Sequence, residues 1–293
     1  MSMAFDHIPR GYNFLGLSEE EARYEPARVV VLPVAYDGTT SYRAGTKYGP
    51  AAIIAASREV ETFDYRTSRE IGEIGITTAL EVETEADGPA AMVDTVEREV
   101  ARHLKAGKYV VMLGGEHSLT TGAVRAHKAK YPNLSVLHID AHADMRDSFQ
   151  GSKYSHASVM RRVREICPAV SVGIRNASAD CMQSIKSSGA PVIWAEECVG
   201  ETGWHDRAIK PLSDQVYITF DLDAFDPAIM PAVGTPEPGG LHWYETLEFL
   251  RAVFAQRTVV GFDVVELSPL AGLHHADFLA AKLVAEMIRA ANS

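Results

Sequence analysis

Three cysteines in 293 residues are too few, and odd in number, to staple a disulfide framework. Cys167, Cys181 and Cys198 match no zinc-binding spacing, so three free thiols in a reducing compartment are expected. Long apolar runs are also missing. None approaches the roughly 20 residues that a membrane-spanning helix needs. The stretch Met1–His7 has no basic start followed by an apolar segment, so no secretory signal is expected. Basic residues are in deficit: 28 Lys and Arg stand against 39 Asp and Glu, a formal net charge of -11. With no polybasic run, this surface should repel nucleic acid and anionic membranes. It is compatible with a small cationic ligand. No repeat, low-complexity stretch or dividing linker interrupts the chain. The expectation is one domain over residues 1–293, in a cytoplasmic protein.

Hydrophobic residues make up 46% of the chain, enough to bury a substantial core. They fall into short runs rich in Val and Ile, apolar at successive positions, the pattern of strands buried on both faces. Eight strands are predicted: Arg28–Ala35, Ile71–Ile76, Tyr109–Leu113, Leu134–Ile139, Val170–Ile174, Pro191–Trp194, Gln215–Asp221 and Thr258–Val265. Helix-like runs alternate with them. Pro89–Lys105 carries Met92, Val93, Val96, Val100 and Leu104 at helical spacing, and Gly107 follows where a helix end favours glycine. Trp243–Phe254 and Ala276–Ala290 read the same way. The alternation predicts an α/β fold with a parallel sheet covered by helices on both sides. The segment Asp226–Gly240, with four prolines and three glycines, is too long for a turn and is expected to be an ordered functional loop.

The chemistry-bearing residues sit at one edge of this map. Gly114-Gly-Glu-His117 follows the third predicted strand, Asp140, His142 and Asp144 follow the fourth, Asp221 and Asp223 end the seventh, and Glu266 follows the eighth. All are carboxyl ends of strands, the edge where open parallel sheets bind ligands. Asp140, Asp144, Asp221 and Asp223 would crowd four carboxylates together, at a high electrostatic cost unless cations or protons offset them. His117 and His142 add neutral nitrogen donors. Oxygen and nitrogen ligands without thiolate favour Mn²⁺ over structural zinc, while leaving nickel, cobalt and iron open. His138, inside the fourth strand, reads as a core residue. His274 and His275 read as surface or interface positions ahead of the last helix, and His242 as a helix start.

Three stretches then resemble the ureohydrolase family of arginases, agmatinases and guanidinobutyrases: Gly114-Gly-Glu-His-Ser118, Ile139-Asp-Ala-His-Ala-Asp144 and Thr219-Phe-Asp-Leu-Asp-Ala-Phe-Asp-Pro227. Supporting matches are Ser41-Tyr-Arg-Ala-Gly-Thr-Lys-Tyr-Gly-Pro50, Gly234-Thr-Pro-Glu-Pro-Gly-Gly240 and Asp263-Val-Val-Glu-Leu-Ser-Pro269. The resemblance implies a three-layer α/β/α sandwich with an eight-stranded, mostly parallel sheet. It implies two Mn²⁺ ions: one held by His117, Asp140, Asp144 and Asp221, the other by Asp140, His142, Asp221 and Asp223. It implies that Glu266 pairs with a substrate guanidinium, that Asp144 takes a proton from the attacking water, and that His156 relays a proton to the leaving amine. Many members have Gly after that histidine, where this chain has Ala157. Trimers or hexamers are the assemblies the family implies.

Within the family, arginases carry an Asn in the slot filled here by Arg146, which counts against arginine. The stretches at Tyr42 and Gly234 look more like agmatinases. Agmatine, giving urea and putrescine, is therefore the first expectation, with aminopropylagmatine, guanidinobutyrate and arginine as alternatives. Glu237 is a candidate partner for a distal ammonium. Two other classes share the fold or the motifs: a zinc deacetylase, which normally uses one metal, and a silent binding protein, which would normally have lost ligands. All six ligands are present here.

Overall fold

A computed structural model describes residues 12–200 and 203–292; the Met1–His7 stretch lies outside them. The apolar runs form eight strands: β1 (Val29–Val34), β2 (Ile76–Thr78), β3 (Tyr109–Gly114), β4 (Leu134–Ile139), β5 (Ala169–Ile174), β6 (Val192–Trp194), β7 (Gln215–Asp221) and β8 (Thr258–Val265). They make one all-parallel sheet in the order β2-β1-β3-β8-β7-β4-β5-β6.

One strand is displaced from its expected place. The run Ile71–Ile76 is not extended: Ile71–Ile74 forms a 3-10 turn. Gly75 then takes a φ of 77°, and pairing with β1 begins only at Ile76, opposite Val29. A β-branched run with glycine at 72 and 75 satisfies strand composition yet bends before it can pair.

Nine helices cover the sheet among the described residues: α1 (Gly49–Ser57), α2 (Pro89–Lys105), α3 (Thr120–Lys130), α4 (Val159–Ile166), α5 (Ala179–Ser188), α6 (Ala195–Cys198), α7 (Trp204–Ile209), α8 (Trp243–Gln256) and α9 (His274–Ala290). Strand residues alternate between two cores. Val29, Val31, Val111 and Leu113 pack with Ile53 of α1, Trp204 of α7, Phe249 of α8 and Val284 of α9. Val30, Leu32, Val110 and Met112 face the other way, onto Met92 and Val96 of α2, Val124 of α3, Val163 of α4 and Cys181 of α5. Alternate residues of a strand point to opposite faces, so a sheet with two covered faces needs the continuous apolar runs seen in the sequence. The architecture is a three-layer α/β/α sandwich.

Helix α2 shows why the local reading works. Pro89 opens it, Arg102, His103 and Lys105 meet the negative end of its dipole, and Gly107 takes a φ of 78° beyond its last turn. Helix α9 starts two residues before the expected Ala276, so His274 and His275 are its exposed first residues. His242 is the exposed N-cap of α8. All three cysteines are buried and free. No described helix is long and apolar enough to cross a membrane.

Candidate active site

The strand order brings the chemistry together. Strands β3, β8, β7 and β4 are consecutive neighbours in the middle of the sheet, and their carboxyl ends carry His117, Glu266, Asp221 with Asp223, and Asp140 with Asp144. The turn after β3 requires a glycine for space: a Cβ on Gly115 would lie 1.9 Å from the Tyr36 carbonyl oxygen. Asp144 and Glu266 hold left-handed backbone conformations, with φ of 49° and 68°. Such conformations cost non-glycine residues roughly 1–3 kcal/mol and gather where function fixes the side chain's direction.

His117 Nδ1 is buried and lies 3.1 Å from Asp140 Oδ2, 3.2 Å from Asp221 Oδ2 and 3.4 Å from Asp144 Oδ2. It makes no well-formed hydrogen bond with any of them. His142 Nδ1 lies 2.8 Å from Asp223 Oδ2 and 3.6 Å from Asp140 Oδ1. The two oxygens of Asp140 thus face different histidines. One carboxylate joins two donor groups, as a bridge between two cations requires. Asp221 is turned toward His117 with Oδ2, while its Oδ1 accepts the Asp223 backbone N–H at 2.9 Å.

Electrostatics point the same way. Burial, with the charges of Asp223 and Asp140, pushes the Asp221 carboxyl well above the usual range. Burial likewise raises Asp223. Asp140 is held well below its ordinary value despite burial, because His138, His117 and His142 surround it. His117 and His142 are both raised; burial opposes this, and the carboxylates outweigh it. Raised carboxyls beside raised imidazoles favour shared protons in this cluster, which bound cations would replace.

The hydrogen bonds behind His117 fix its form. Thr219 Oγ1 donates to Asp263 Oδ1 at 2.7 Å, so it accepts from His117 Nε2–H at 2.9 Å. With a proton fixed on Nε2, Nδ1 is the nitrogen that would release its proton and offer a lone pair to a cation among the three carboxylates. Asp263 is held in turn by Tyr217 and Thr120 hydroxyls, at 2.8 and 2.9 Å. A nitrogen and three carboxylate oxygens that share protons at close range, with the ring already oriented from behind, fit a cation that would displace those protons. Thr219→Val should lower metal affinity roughly 10–100-fold, the scale of losing such an outer partner; titration calorimetry checks it, and unchanged affinity would remove Thr219 from that role. No role was assigned to Thr219 or Asp263 from sequence, although both are polar residues inside otherwise apolar strands.

His138 belongs to the core, as expected, but with a task. Its Nδ1 meets Ser171 Oγ at 3.0 Å and its Nε2 meets Asp140 Oδ2 at 2.7 Å. Both nitrogens are engaged, so it orients Asp140 rather than offering a free ligand atom.

The cluster opens into a cavity of about 200 Å³. Asp144, Asp221, Asp223, Glu266 and His156 line it, with Ser41, Arg146, Phe149, Asn176 and Glu237 around them. Glu266 Oε1 accepts the His117 backbone N–H at 2.7 Å, which orients its carboxylate; burial and nearby Glu116 raise its pKa well above normal. Glu237 is bonded to Asn176 and lies 3.7 Å from His142 Nε2. Arg146 lies over the Phe149 ring at 5.1 Å. The Asp226–Gly240 loop is tied in place by Arg175, whose guanidinium donates to the carbonyls of Asp223, Ala224, Phe225 and Glu237. A larger cavity of about 1060 Å³ lies at the opposite, amino edge, lined by Arg28, Arg66 and Glu286 among others, and contains none of these groups.

The model of the arginase family matches residues 27–289. This chain belongs to the arginase family. The N(1)-aminopropylagmatine ureohydrolase of Thermus thermophilus is 44% identical over 271 residues, covering 92% of each chain. That of Synechocystis sp. is 41% identical over 283 residues, covering 92% of this chain and 91% of the other. The crystal structure of agmatine ureohydrolase from Thermoplasma volcanium superposes with a TM-score of 0.84 at 35% identity, covering 93% of each chain. Similarity over almost the full length of these proteins supports an arginase-family enzyme, as the motifs implied.

Proposed function

We propose that this protein is a binuclear manganese ureohydrolase that cleaves a guanidine carrying further amino groups, N(1)-aminopropylagmatine ahead of agmatine. The observation that carries this reading is the cluster of four carboxylates around His117 Nδ1 and His142 Nδ1, opening with Glu266 onto one cavity. Agmatine is the first expectation from the motifs; the greater identity to aminopropylagmatine ureohydrolases moves the longer polyamine ahead of it. Carboxylates and imidazoles without thiolate favour manganese.

When bound, two divalent cations supply an acidified water as nucleophile at neutral pH. Glu266 grips the guanidinium through parallel hydrogen bonds and sets its carbon in the cavity. Asp144 accepts a proton from the attacking water, and His156 delivers one to the departing nitrogen. Both water protons end on that nitrogen, the carbon–nitrogen bond breaks, and urea and an ammonium leave. Glu237 accepts the substrate's internal ammonium at the cavity wall.

The test is urea release by manganese-loaded protein from N(1)-aminopropylagmatine, agmatine, arginine, guanidinobutyrate, guanidinopropionate and guanidine. The highest kcat/KM is expected for N(1)-aminopropylagmatine, agmatine following, with arginine and guanidinobutyrate far behind. A preference for guanidinobutyrate would reverse the assignment of the distal pocket, and no urea from any guanidine would overturn the reading.

A further inference from the structure

His156 approaches the site from the loop before α4, where it begins a short 3-10 turn. Its Nδ1 lies 3.3 Å from Thr39 Oγ1 and 3.4 Å from Ser155 Oγ, its Nε2 lies 3.3 Å from Ser41 Oγ, and Phe149 packs edge-on against the ring. Thr39 belongs to the loop after β1, 117 residues away in sequence. Its hydroxyl donates to Glu116 Oε1 at 2.6 Å, and its backbone N–H donates to Glu116 Oε2 at 2.5 Å. Glu116 is fully buried, and Ser118 Oγ also donates to its Oε1. With its single proton given to Glu116, the Thr39 hydroxyl can only accept from its other neighbours. One is the His156 backbone N–H, at 3.0 Å. The other is His156 Nδ1.

We propose that Glu116 and Thr39 are positioning residues that hold His156 as its Nδ1–H tautomer, leaving the Nε2 lone pair to exchange protons in the cavity. This rests on the reading of His156 as the proton-transfer group. The logic is that of a carboxylate orienting a catalytic imidazole, with a hydroxyl inserted between them. Thr39 makes the insertion necessary, because its side chain and backbone together occupy both oxygens of Glu116. The arrangement parallels Asp263–Thr219–His117, where a buried carboxylate also acts on a histidine through a threonine. There the nitrogen turned to the site is the buried Nδ1, facing carboxylates; here it is Nε2, beside Ser41. In the transfer step, Nδ1 keeps its own proton throughout and donates it in a hydrogen bond to Thr39 Oγ1. Nε2 gains one proton derived from water and passes it to the departing nitrogen, so the ring ends neutral as it began.

Nitrogen NMR on ¹⁵N-histidine-labelled full-length protein tests this without turnover, with His156→Gln assigning the signals. The neutral parent ring is expected as Nδ1–H. Thr39→Ser should retain that tautomer and parental kcat. Thr39→Val should shift the ring toward Nε2–H and lower kcat by about 10–100-fold, part of what acid–base catalysis contributes, with KM little changed. A parent ring found as Nε2–H would overturn the proposal, and so would a Thr39→Val protein with the parental tautomer. If Thr39→Val does not fold, the parent spectrum decides alone. Because the tautomer is read at rest, its failure is distinct from that of the ureohydrolase reading, which would show as no urea from any guanidine.

Discussion

Asp140→Ala should abolish urea release, with a loss of at least about 10³-fold, the scale of removing a major electrostatic contribution at a reacting centre. The reason is its place between two donor groups. Asp140 Oδ2 faces His117 and His138, and Oδ1 faces His142. Removing it would take a ligand from both proposed cation positions and leave His138 Nε2 without its buried partner. Asp221→Ala should show a comparable loss. Asp144→Ala removes a carboxylate only from the His117 side and should spare the cation proposed to lie between His142 and Asp223. Metal content by mass spectrometry separates the cases: well below two ions per chain for Asp140→Ala, close to one for Asp144→Ala. Circular dichroism checks that the variants remain folded. Activity that survives both Asp140→Ala and Asp221→Ala would sink the mechanism.

How much of this was legible in the sequence follows from which interactions are local. Strands β4, β7 and β8 have the predicted bounds, because burial on both faces demands continuous apolar runs and leaves a clear signature. Helix α2 likewise coincides with its predicted span, since proline, glycine and the apolar period all mark it. The strand at Ile76–Thr78 was misplaced because its neighbour Ile71–Ile74 has strand composition but meets no partner until after Gly75. Pairing is a long-range property that composition does not carry. The same division runs through the site. Asp140, His142 and Asp144 announce themselves by spacing within one stretch. Their adjacency to His117 and Glu266 depends on β3, β8, β7 and β4 being neighbours, an order that chain sequence does not reveal. Thr39 and Thr219 were least visible. A threonine hydroxyl has no distinctive spacing, and its meaning comes from a carboxylate and a histidine that only folding brings to it.

Glu266→Gln should separate substrate capture from metal binding. Glutamine keeps the volume, and its carbonyl oxygen can still accept the His117 backbone N–H that Glu266 Oε1 accepts now. What it loses is the charge and one acceptor, replaced by an NH₂ that points a donor at a guanidinium made only of donors. Breaking a buried charged pair of this kind costs about 2–5 kcal/mol. At about 1.4 kcal/mol per decade, kcat/KM should fall roughly 30- to 4,000-fold, with metal content unchanged. Glu266→Asp retains the charge but withdraws it by one methylene, and the left-handed backbone at residue 266 gives the shorter chain little freedom to reach back; its loss should be intermediate. The pattern across substrates carries the distinction further. If Glu266 holds the guanidinium that every substrate shares, as proposed, the loss should be similar for N(1)-aminopropylagmatine, agmatine and guanidine. Glu237 stands at the cavity wall beside His142, so Glu237→Gln should penalise only the substrates that carry an additional ammonium. Parental kcat/KM in metal-replete Glu266→Gln would remove Glu266 from guanidinium recognition, and a penalty confined to the longer substrates would exchange the assignments of the two carboxylates.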